Sequence, residues 1–71
     1  MLRALGERVR DLRREHGLTQ ERLAEHADLS WSYVSQVERG QRDLGVQNLL
    51  KLARGLKVSP GDLVNELVSA D

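Results

Sequence analysis

A chain of 71 residues without cysteine suits one small domain, with neither a disulfide framework nor a thiolate zinc site, in keeping with a reducing interior. No window approaches the ~20 apolar residues of a membrane span, and the N-terminal MLRALGERVR lacks the unbroken apolar core of a secretory signal, so the expected location is cytoplasmic. Lys and Arg (11) balance Asp and Glu (11), yet residues 1 to 14 carry five Arg against two acids and 39 to 57 carry five basic groups against one. Without an overall basic excess, affinity for a polyanion has to rest on where the charges are placed.

Leu2, Leu5, Val9 and Leu12 repeat at intervals of three and four, one stripe of an amphipathic helix ending near His16-Gly17. Thr19 reads as the N-cap of a second helix, with Glu21 in its first turn and Leu23, Ala24 and Ala27 facing inward. A tight connection at Asp28-Leu29 leads to Ser30, the N-cap of a third helix that ends at Gly40, a suitable left-handed residue. A link of about three residues between the second and third helices is what a helix-turn-helix requires. Val46, Leu49, Leu50 and Ala53 form the inward stripe of a fourth helix that stops near Gly55. Ser59-Pro60-Gly61-Asp62 then combines an N-cap Ser, Pro at the first helical position and a carboxylate three residues on, opening a fifth helix over about 60–68. No stretch alternates long enough to be a strand. The expected fold is all-α: one compact five-helix domain over residues 1–71.

The third helix holds the only Trp and the only Tyr of a chain without Phe. At ~100° per residue, Val34 and Val37 define its inward face; Ser32 and Arg39 fall roughly opposite, Ser35 and Gln36 about 130° away, Trp31 about 90° and Tyr33 about 70°. The outward face is therefore short or planar hydrogen-bonding groups with no carboxylate, flanked by an aromatic on each side. An ordinary solvated face is the plain alternative, but this one lacks the Glu and Lys pairs that usually fill such faces. It also opens at a helix N-terminus, where backbone N–H groups suit phosphate. Gln can read adenine with two hydrogen bonds.

Leu18-Thr19-Gln20, Leu23-Ala24, Leu29-Ser30, Tyr33-Val34-Ser35 and Val37-Glu38-Arg39-Gly40 closely resemble the lambda-repressor-like (Xre) helix-turn-helix family, with the motif at about 19–39. Counting from Gln20, Ala24 is the small fifth residue and Val34 and Val37 the apolar fifteenth and eighteenth. The resemblance implies a lambda-repressor-like fold whose third helix enters the major groove of double-stranded DNA, two copies binding a two-fold-related operator. It implies that Gln20 binds a phosphate and helps hold Gln36, that Trp31, Ser32 and Gln36 face bases with Ser35 on the same face, and that Tyr33 and Arg39 lie along the backbone. Arg42 would reach a phosphate or the minor groove, and Asn48 a phosphate. Arg13 and Glu38 match a pair that the family tends to bury between the first and third helices. Asp28 stands where the family commonly has Gly, and Leu44-Gly45 where it often has Pro and Ser or Thr. The run Arg42-Asp43-Leu44-Gly45-Val46 is similar to a subgroup that includes the controller proteins of restriction–modification systems.

On the fifth helix Leu63, Val64, Leu67 and Val68 spread over about 140°, wider than the ~100° needed to cover one core. Part of this face, with Leu44 or Leu56 nearby, is expected to form an isologous homodimer contact; otherwise the whole face packs on the first helix of the same chain. No second domain for a small-molecule effector is expected. His16 and His26 lack a partner at metal spacing, and neither a phosphate loop nor a nucleophile-and-base arrangement appears, so no metal, cofactor or enzyme activity is expected. The competing functional reading is an antitoxin or adaptor that uses the same fold to hold another protein.

Overall fold

Local chemistry sets most of the helix boundaries. The computed structural model describes residues 2–69, with side chains as far as residue 65, and among these there is no strand: the chain forms α1 (Leu2–Glu15), α2 (Gln20–Ala27), α3 (Trp31–Glu38), α4 (Val46–Leu56) and α5 (Pro60–Ser69). The Thr19 hydroxyl accepts the Arg22 N–H, Ser30 accepts that of Tyr33, and Ser59 accepts that of Asp62, so each takes up one of the amides a helix start leaves without a partner. Asp28 ends α2 in the left-handed region at φ 57°, ψ 46°, and the Leu29 N–H closes back on the Ala24 carbonyl at 2.9 Å. Gly40 ends α3 at φ 71°.

Twelve apolar side chains from all five helices form one core: Leu5, Val9 and Leu12 of α1; Leu23, Ala24 and Ala27 of α2; Val34 and Val37 of α3; Leu52, Ala53 and Leu56 of α4; and Leu63 of α5. A leucine fully removed from water contributes about 1.5–3 kcal/mol. α2 packs most extensively on α4, and α1 on α3, while α5 closes against α1 and α4. The radius of gyration, 10.7 Å, matches the ~11 Å of a compact domain of this length. Among the described residues no helix is long and apolar enough to cross a membrane.

Three expectations are corrected here. α4 ends near Gly55, as expected, but Gly55 is not the residue that terminates it. The helix runs on to Leu56, and Lys57 takes the left-handed position at φ 59°. Gly55 is instead a close approach, because a Cβ there would sit 3.0 Å from both the Cβ and the backbone nitrogen of Ala27. The inward stripe of α4 is also rotated: Leu52, Ala53 and Leu56 are buried, whereas Val46 is 72% and Leu50 43% exposed. Finally, Leu63 cannot be a dimer contact. With 0% exposure within the single chain, it already fills the space between α5 and the core; Leu56 is buried in the same way. Of the other residues assigned to that contact, Leu44 and Val64 are half-buried against the core edge, and Leu67 and Val68 lie outside the residues whose side chains are described.

Candidate nucleic-acid interface

Beneath α3 lies the chain's one buried charged residue among those described, Glu38, at 2% exposure. Arg13 of α1 grips it with two parallel bonds, Nε to Oε2 at 2.6 Å and Nη2 to Oε1 at 3.0 Å, and donates its remaining arm to the Leu18 carbonyl at 2.9 Å. Such a fork-to-fork geometry is both strong and directional. Arg10 adds a hydrogen bond to the Glu38 backbone carbonyl at 3.1 Å, with its Nε 3.8 Å from Oε1. The expected structural pair is therefore present, and it ties α1 to the end of α3 and to the loop that precedes α2.

A third partner was not foreseen. The Gln20 amide donates to Glu38 Oε1 at 3.0 Å, and its oxygen accepts the Trp31 indole N–H at 3.2 Å. Gln20 thus holds Trp31, not Gln36. Nothing in the local pattern could have signalled this, since it depends on three helices meeting at one carboxylate.

On the outward side of α3, Trp31, Ser32, Ser35, Gln36 and Arg39 line one shallow concavity. No carboxylate contributes to it. Trp31 is 55% exposed and Ser32 and Arg39 are exposed, whereas Ser35 and Gln36 are half-buried. Arg39 Nε leans back on the Ser35 carbonyl at 3.4 Å. The wheel of the eight-residue helix therefore placed this face correctly.

Tyr33 packs against the core edge, as expected, but its hydroxyl is engaged inside the molecule. It donates to the Asp43 carbonyl at 3.3 Å and accepts from Asn48 Nδ2 at 3.0 Å. Arg42 lies over the ring, its guanidinium carbon 5.3 Å from the centroid, a cation–π contact. Tyr33 and Asn48, both expected on phosphates, are thus turned toward each other and pin the loop after α3 to the start of α4. Arg42 remains exposed and is steadied by the ring beneath it. Among the described residues no group of three or more His, Cys, Asp or Glu is placed to hold a metal ion.

A short, capped turn joining two helices, with the second presenting a carboxylate-free polar face, defines a helix-turn-helix protein. Residues 9–63 match the model of the family described as Helix-turn-helix, and the chain belongs to that family. It is 38% identical over 61 residues to the control protein C.BamHI of Bacillus amyloliquefaciens, covering 84% of this chain and 75% of that one. It is 50% identical over 54 residues to the transcriptional regulator PrpR of Mycobacterium tuberculosis, but this spans only 11% of that protein. The crystal structure of the restriction–modification controller protein C.AhdI from Aeromonas hydrophila superposes with a TM-score of 0.85 at 48% identity, covering 87% of this chain and 94% of that one. These relatives carry the names of control proteins and transcriptional regulators, not of enzymes.

Proposed function

We propose that this chain is a regulator of transcription that binds double-stranded DNA sequence-specifically as a homodimer on a two-fold-related operator, in the manner of a restriction–modification controller protein. The observation that carries the reading is the concavity on α3: five side chains able to meet base edges or backbone, free of carboxylates. Ser32 and Gln36 supply hydrogen-bonding groups for bases, with Gln36 suited to adenine. Arg39 and Arg42 supply positive charge toward the flanking phosphates. A second copy has apolar surface to bury on α4, where Val46 and Leu50 lie one turn apart and exposed, and Leu44 and Val64 are only half-buried against the core.

DNA retention measured against salt tests the reading, because a phosphate-binding protein loses affinity linearly in log–log form as salt rises. Gln36→Ala should lose about 1–3 kcal/mol on the preferred site alone, and Arg42→Ala should weaken all sequences alike. Salt-insensitive binding, or two silent variants, would instead favour an adaptor that holds another protein.

A further inference from the structure

The indole of Trp31 has one polar atom, and its hydrogen bond goes to Gln20, which is not among the residues lining the concavity. Glu38 is buried and, as a carboxylate gripped by Arg13 at both oxygens, can only accept hydrogen bonds. It therefore draws the nitrogen end of the Gln20 amide inward. The oxygen end must then face outward, where it receives the Trp31 N–H at 3.2 Å. Each bond in this chain, from Arg13 through Glu38 and Gln20 to Trp31, has its direction fixed by the one before.

The consequence is a half-exposed aromatic ring that forms one wall of the concavity and offers only carbon to whatever lies there. The other four lining residues all carry hydrogen-bonding groups. Among the groups displayed in a major groove, the thymine 5-methyl is the apolar one; the other distinguishing positions are donors or acceptors. We propose that Trp31 is a specificity-determining residue that selects a thymine through its 5-methyl group, and that Gln20 is a positioning residue that keeps the indole N–H out of the readout. This rests on the DNA-binding reading of the same face.

The test uses the full chain and a duplex carrying its preferred site, obtained by selection from a random pool. Thymines are replaced one at a time by uracil, which removes only the methyl. At one position in each half-site the wild-type protein should bind uracil roughly fourfold more weakly, the value of about one buried carbon at ~0.8 kcal/mol. Trp31→Ala should bind the thymine and uracil sites equally. Because Trp31 is the only tryptophan, its fluorescence anisotropy reports on the ring alone. In free Gln20→Leu the anisotropy should fall and, on the selected site, the thymine preference should shrink.

Equal affinity for thymine and uracil at every position, or a difference that survives in Trp31→Ala, would overturn the assignment while leaving DNA binding intact. An anisotropy unchanged in Gln20→Leu would overturn the positioning role. Absence of any salt-dependent binding would remove the underlying DNA reading itself, an outcome distinct from these.

Discussion

Two regions of this small domain are held by different physics. Where α1, α2 and α3 meet, a buried carboxylate is satisfied by Arg13 and Gln20, and the bonds are directional. Where α4 meets α2 and α5, leucine and alanine side chains fill the space, and apolar surface is left over at Val46 and Leu50. A directional network fixes the orientation of a side chain such as Trp31. Apolar packing fixes only distance and shape, and it leaves a face that a second copy can cover. The orienting network lies beneath the proposed DNA face, where readout needs set angles, and the exposed apolar surface lies on α4, where the proposed second copy needs area.

The largest expected effect comes from breaking the polar junction. Glu38→Gln leaves Arg13, whose side chain is only 12% exposed, without its counter-charge, and should cost on the order of 3–5 kcal/mol in chemical denaturation. The paired change Arg13→Met with Glu38→Leu should cost less than Glu38→Gln alone, since neither charge then remains buried without its partner. An overlaying denaturation curve for Glu38→Gln would show that the network contributes nothing to stability.

Gly55→Ala probes the apolar half. The new methyl meets the Ala27 backbone, which cannot rotate away, so α2 and α4 must separate at a cost of about 1–3 kcal/mol. A melting temperature equal to that of the parent would mean that the α2–α4 contact is looser than the structure describes.

Asp28→Gly should move stability the other way, by up to about 1 kcal/mol, because an L-residue is disfavoured in the left-handed region that glycine enters freely. It also removes a negative charge from the C-terminal end of α2. A decrease in stability, read by the same denaturation, would show that the carboxylate has a stabilising role in the turn that outweighs the strain.

Leu50→Ser has the smallest expected effect on the folded monomer, within about 0.5 kcal/mol, since the residue is already substantially exposed. Its effect on assembly should be larger. Sedimentation at micromolar concentration should show a parent dimer shifted toward monomer, and an unshifted dimer would place the contact away from α4.

Legibility from the sequence followed the range of the interaction. The caps at Thr19, Ser30 and Ser59 and the left-handed end of α3 at Gly40 involve residues within a few positions of one another, so composition and order were enough. The outward face of α3 was legible for the same reason: eight residues at a constant angular step leave little freedom. Gly55 read as a helix stop because its local signature is the same as that of a glycine serving close packing; only the position of Ala27 distinguishes the two. On α4 the apolar residues occupy two overlapping stripes, and periodicity alone could not say which would meet α2.

The sequence by itself determined the number of helices, the caps at Thr19, Ser30 and Ser59, the turn between α2 and α3, and the side of α3 that faces outward, because each follows from backbone geometry and nearest neighbours along the chain. Only the tertiary structure decided that Gln20 holds Trp31, that Tyr33 and Asn48 bind each other, and that Leu63 belongs to the core rather than to a partner. Those outcomes depend on which groups from distant helices compete for one donor, one acceptor or one volume, and that competition exists only once the helices have packed.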